Sequence, residues 1–249
     1  MTRAISAIVR GTLAAGLVLT VSCTPESASQ TKPENKSTFD ETEKMLKEAQ
    51  GKREARLAQL KSMDVNQLSS ELAQESAKGT EPFNSMAYAE AVSRGDGVAS
   101  GLKPASTKAD RSSLLALLAL RKVSAAQYGQ LDGQLRVSIL TDALKTSRYF
   151  NNWGLPSGAW EDGAKAIIAE GRAAEPAMAA LLRDTRPAPV WGSEGMMEYQ
   201  KYRYRVCDYA WALVNEIRNQ RVPIPPDAAE RDKLIAATIK ELGTAKNPR

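Results

Sequence analysis

The chain has 249 residues, with 34 lysines and arginines against 29 aspartates and glutamates, and no histidine. The missing imidazole excludes Ser-His-Asp and Cys-His catalysis and every histidine-built zinc site. Two cysteines, Cys23 and Cys207, are too few for a four-thiolate metal site or an Fe–S cluster, so neither a metal nor a cofactor is expected. The formal net charge of +5 is spread along the chain rather than blocked, which argues against nucleic acid as a partner.

Arg3 and Arg10 precede an uncharged, mostly apolar run from Gly11 to Ser22. Twelve residues are too few to span a bilayer as a helix, which takes roughly 20. The run ends at Ser22-Cys23, with Leu19 four places before the cysteine and Thr20 at the place usually held by leucine. This arrangement resembles the lipobox of bacterial lipoproteins. The resemblance implies a signal peptide over 1–22 and Cys23 as the lipidated first residue of the mature chain. It also implies anchoring in the cell envelope, at the outer membrane where the organism has one. An ordinary secretory peptide is the alternative. Residues 23–37 are rich in Ser, Thr, Pro, Glu and Lys and nearly free of large apolar side chains, so they read as a disordered tether.

The rest reads as all-α. Thr38 to Glu41 and Asp64 to Gln67 have capping-box spacing, and they open two helices expected to form a charged hairpin over 38–80. The first has a thin apolar face of Leu46, Ala49, Leu57 and Leu60. Residues 84–106 read as a short helix capped by Asn84, then a Gly-rich loop from Gly95 to Ser106. That loop carries Arg94-Gly95-Asp96, the tripeptide of adhesion ligands, but three residues are weak evidence for that role. Gly95-Asp96-Gly97 lacks the preceding strand and spacing of a dinucleotide fingerprint.

Residues 107–245 form the main helical region. Leu114, Leu115, Leu117, Leu118 and Leu120 predict a buried helix, Ser124 to Gln127 a further capping box, and Leu135 to Leu144 another helix. An aromatic loop from Tyr149 to Pro156 follows. Glu161 and Asp162 suit a helix N-terminus, Gly171 a stop, and Pro176 a first turn. After a second loop, Arg186 to Gly195, one long helix is expected to carry Val206, Ala210, Leu213 and Ile217, with Cys207 a buried thiol. Asp227 to Glu230 caps a last helix, ended by Gly243.

Trp153-Gly154 and Trp191-Gly192 each precede a helix, 38 residues apart, and the stretches 170–184 and 204–213 pair helices around tight turns and small residues. These features resemble HEAT repeats. The resemblance covers about Leu131 to Leu242 and implies a short α-solenoid that works by presenting a surface. The long loop from Arg186 departs from such repeats, and an irregular helical bundle is the other arrangement.

Ten of the 14 aromatic residues lie between Tyr149 and Trp211, including all four tryptophans. Most are expected in packing, with Trp153 and Trp191 expected to be exposed. The candidate binding surface is therefore Trp153, Gly154, Trp191, Gly192, Glu194, Glu198, Tyr202 and Arg205. Arg203 and Arg205, interleaved with Tyr202 and Tyr204, suit either an anionic ligand or a solvated face. The expected function is a membrane-anchored helical module that binds another envelope protein. The alternative is a glycan-binding or glycan-cleaving lipoprotein using the two Trp loops and an acidic pair drawn from Glu161, Asp162, Asp184, Glu194, Glu198 and Asp208. A third reading is a structural spacer. A glycosidase needs two carboxylates roughly 5–9.5 Å apart across a sugar. The two loops are expected to converge on one edge without such a cleft.

Overall fold

The computed structural model describes residues 35–220 and 222–245. They are all-α: twelve α-helices and five short 3-10 turns, with no strand among the described residues and only two isolated bridges, Gly154 with Trp160 and Pro187 with Arg205. The chain divides after Glu48. Within the first part, residues 39–48 of helix α1 (Asn35–Ser62) are all exposed, including Phe39, Met45 and Leu46. The helix starts before Thr38, so the expected box there does not begin it. Cys23 and the tether up to residue 34 lie outside the described residues. No described helix is long and apolar enough to cross a membrane.

In the second part, from Ala49, α1 turns at Met63-Asp64 into α2 (Val65–Ala77). Asp64 caps α2 with both bonds of its box, Gln67 N to Asp64 Oδ1 at 2.9 Å and Asp64 N to Gln67 Oε1 at 3.0 Å. Leu60, Leu68 and Leu72 are sealed, and Arg56 pairs with Glu71 and Glu75 across the two helices. Ser85, not Asn84, caps α3 (Met86–Ser93), accepting from Tyr88 N.

The Gly-rich stretch expected as a loop instead continues as a 3-10 turn and helix α4 (Ala99–Ala105). Val98, Ala99 and Leu102 provide a buried apolar edge that local propensity undervalues. Gly101 lets α4 lie against α2: a Cβ there would overlap Val65 Cγ1, and Ser69 Oγ donates to Gly101 O at 3.0 Å. The Arg-Gly-Asp arginine is structural, since Arg94 donates to Leu60 O and Met63 O at the end of α1 and pairs with Glu90.

Helix α5 (Leu114–Val123) is buried without a break from Leu114 to Leu120. A helix apolar all round must lie inside, and α2, α3, α4, α6 (Ala125–Gly129), α7 (Gly133–Lys145) and α8 (Asp162–Ala169) pack on it. Each fully buried leucine contributes roughly 1.5–3 kcal/mol. Ser124 precedes α6 without the expected side-chain cap, whereas Asp132 caps α7 through Leu135 N at 2.9 Å. Arg136 clamps Glu170 at 2.9 and 2.8 Å, tying α7 to the end of α8.

The helix expected as one piece after Gly195 is two: α10 (Ser193–Tyr202) and α11 (Val206–Ile217), parted at Arg203, whose φ is +47°. Long-range bonds impose the break. Ala188 N donates to Tyr204 O, Val206 N to Arg186 O and Cys207 N to Asp184 O, at 2.8–3.0 Å. Eleven of the twelve α11 residues are buried, against α8, α9 (Glu175–Leu181) and α12 (Ala228–Ala245). Helix α12 runs through Gly243, which does not stop it. Two helices are thus internal, α5 under α2, α3, α4, α6, α7 and α8, and α11 under α8, α9 and α12, as in an irregular bundle.

Candidate functional site

Of the two tryptophans expected at the surface, one is core. Trp153 is 1% exposed and donates its Nε1 to Ser147 Oγ at 3.0 Å, while Gly163 lies so close that a Cβ there would come within 2.7 Å of the indole. Gly154, at φ +96°, packs its backbone on Ala159 and Trp160 and accepts a bond from the Tyr209 hydroxyl at 3.2 Å. Trp153 therefore leaves the candidate surface, while Gly154 is held by packing and stays at the edge of the groove through its backbone. The loop they begin is held by burial, since residues either side of the turn must meet backbone to backbone.

Trp191 is 45% exposed, as expected. It is also pinned. Asn151 Nδ2 donates to Trp191 O at 2.9 Å, Trp191 N donates to Asn151 Oδ1 at 3.2 Å, and the indole Nε1 donates to Asn152 Oδ1 at 3.0 Å. Phe150 N donates to Pro189 O at 2.7 Å. The two loops therefore do converge on one edge. Gly192, at φ +81°, turns the chain into α10 immediately after the ring. Phe83, itself 56% exposed, stacks on Trp191 with ring centroids 5.6 Å apart and planes 6° apart, a parallel-displaced pair that leaves part of each ring open.

Two open cavities share Trp191, Asn151 and Glu161. One, of about 340 Å³, is lined by Phe83, Tyr88, Asn152 and Asp162 as well. The other, of about 470 Å³, continues past Gly154, Leu155, Gly192 and Gly195. Asp162 pairs with Lys122 at 2.9 Å and lies 3.5 Å from the Tyr88 hydroxyl, which donates to it. Burial first, and then that carboxylate, push the Tyr88 phenol above its ordinary value, so it stays a proton donor. The exposed Glu161 carboxylate has no hydrogen bond or ion pair among the described residues. Glu161 and Asp162 are consecutive and enter from one wall, so they do not form a pair across a sugar-sized gap.

Glu198, Tyr202, Arg203, Arg205 and Asp184 do not line this groove. Glu198 accepts from the Tyr204 hydroxyl at 2.6 Å and from Ser157 Oγ. Tyr202 stacks on Tyr204 with centroids 5.0 Å apart. Arg205 is committed to Asp208 at 3.1 Å and Asp232 at 2.7 Å, which removes it as an anion clamp. Arg203 is exposed. The Glu194 side chain lies outside the described residues. Asp184 is held by Arg186, whose hydrogen bonds draw its carboxyl below the usual range. No group of three or more metal-ligating side chains occurs among the described residues.

Phe83, Tyr88, Asn151 and Asn152 were not among the expected surface residues, whereas Glu161 and Asp162 were expected only as candidates for an acidic pair. The Asn-Asn pair before Trp153 was a signal, because adjacent amides in an aromatic loop suit the clamping of another backbone. Phe83 had none, being brought to Trp191 only by the fold.

Compared with known proteins, the chain matches no family model, no curated protein and no solved structure.

Proposed function

We propose that the chain is a membrane-anchored envelope lipoprotein whose helical domain is a non-catalytic binding module, with its working surface at the groove around Trp191. The observation that carries this reading is the pinned, half-exposed indole. Three hydrogen bonds hold a large apolar ring at the surface, where it gains little from burial. A ring fixed in advance loses little freedom when a partner covers it. The anchoring half rests on the lipobox-like Leu19 to Cys23 and on the polar residues that follow.

Two measurements test the reading. Metabolic labelling with an alkynyl fatty acid should mark the full chain and place it in the detergent phase, and Cys23→Ser should abolish both. A photo-crosslinking residue at position 191 should yield a defined adduct in intact envelopes, while one at exposed Lys233 should not. An unlabelled chain removes the anchor. Equal yields from both positions remove the groove as the working surface.

A further inference from the structure

We infer that the Trp191 groove takes a neutral pyranose oligosaccharide rather than a protein segment. The inference rests on the binding-module reading and names its ligand class.

The lining carries the argument. Around the first cavity the side chains are aromatic or polar: Phe83, Tyr88 and Trp191 with Asn151, Asn152, Glu161 and Asp162, and Pro82 the only aliphatic group. A docked helix needs a groove of aliphatic side chains to seat its anchors, and protein hot spots are deep and desolvated. The first cavity is open and offers no such aliphatic seats. A pyranose has one face of C–H groups and a rim of hydroxyls. The C–H face suits an exposed aromatic plate, and the hydroxyls need fixed acceptors and donors beside it.

Both kinds are present. The Glu161 carboxylate is an uncommitted acceptor. Asn152 spends its oxygen on the indole and keeps its two amide hydrogens uncommitted among the described residues. The Tyr88 hydroxyl and Asp162 lie against the same wall. Charge narrows the class. The linings carry the Glu161 and Asp162 carboxylates and, among the described residues, no lysine or arginine; Lys122 is spent on Asp162, and Arg121, whose charge reaches the Tyr88 phenol, stands outside them, so a phosphate, sulfate or carboxylate on the ligand is disfavoured. Two adjoining cavities that share Trp191 and Glu161 make room for more than one sugar ring.

The test uses the full chain in detergent. It is titrated with the β-1,4 tetramer of N-acetylglucosamine and with maltotetraose, followed by calorimetry and tryptophan emission. Trp153, Trp160 and Trp211 are each at most 9% exposed, so a ligand at this site perturbs the Trp191 signal. Saturable binding of either sugar is expected. The first would point to a wall polymer and the second to an α-glucan. Trp191→Ala should weaken binding at least about tenfold, Trp191→Phe less, and Glu161→Gln about three- to tenfold, with circular dichroism unchanged. Failure of both sugars to bind, or binding indifferent to Trp191→Ala, overturns the inference. A protein adduct from position 191 without saccharide binding would overturn it while leaving the binding-module reading in place. Neither adduct nor saccharide binding would end both.

Discussion

Arg231 and Asp208 form an ion pair sealed from solvent, with Nε donating to Oδ1 at 3.0 Å and the two side chains 1% and 0% exposed. The same guanidinium donates to Pro225 O, Pro226 O and Tyr202 O at 2.7–2.9 Å. It therefore joins α12, the proline turn and the end of α10 to the buried helix α11. Such a pair owes its value to completeness, because removing one partner strands the other. Arg231→Met should cost about 3–5 kcal/mol in urea unfolding, since three carbonyls lose their donor and Asp208 keeps only Arg205. Adding Asp208→Leu should recover part of that loss. A single-variant cost under about 1 kcal/mol would show that Arg205 alone satisfies the carboxylate.

The two Trp-Gly loops should separate cleanly in stability. Trp153→Ala empties a core site and should destabilise by about 3–5 kcal/mol. Trp191→Ala loses a stacked partner and one exposed hydrogen bond, the indole's to Asn152, and should cost no more than about 1 kcal/mol. Thermal unfolding of the two variants side by side reads the difference. Equal losses would contradict the assignment of one ring to the core and the other to the surface.

Gly101 offers a paired test of the unexpected helix α4. On propensity, Gly101→Ala should stabilise a helix by roughly 0.5–1 kcal/mol. Overlap with Val65 should reverse the sign, giving a net loss of about 1–3 kcal/mol. Val65→Ala should relieve the overlap, so the double variant is more stable than the sum of the singles predicts. Additive behaviour would mean that α2 and α4 do not meet at this point.

Alkaline pH should unfold the protein progressively from about pH 9. Burial above all, and then the Asp208 carboxylate, raise the Cys207 thiol from its ordinary 9.0 to about 11. Between those values the unfolded chain has released the proton and the folded chain holds it, so stability falls as pH rises. The contribution is fully present below 9 and gone above 11. The partly buried Tyr128 and the buried Tyr204 and Tyr209 phenols are raised for the same reason, and they extend the loss upward. Urea midpoints at pH 8, 9 and 10 should fall in order, and more shallowly in Cys207→Ser. Thiol-reactive dye should label the native protein slowly at pH 8 and fast once urea is added.

Local chemistry made much of this fold readable. The Asp64–Gln67 box, the Asp227 cap and the unbroken leucines of α5 act within a few residues, and each sits where its spacing placed it. At Ser124 a helix does start, with Ser124 extended before it, but without the side-chain bond of the box, whereas Thr38 lies inside a helix that has already begun, where a side chain caps nothing. The reach of α4 and the break at Arg203 depended on distant partners, Val65 in one case and the chain from Asp184 to Ala188 in the other.

The site divides along the same line. That the Trp loops are chemically rich and that no imidazole serves them follow from residue identity and order, and the proposal of an acylated Cys23 rests on the same order of residues. Which tryptophan sinks and which stands was settled by packing. Gly163 opens a slot beneath Trp153, while Asn151, Asn152 and Phe83 hold Trp191 at the surface. Identical Trp-Gly dipeptides carry the same propensity, so only neighbours contributed from far along the chain can give them opposite fates.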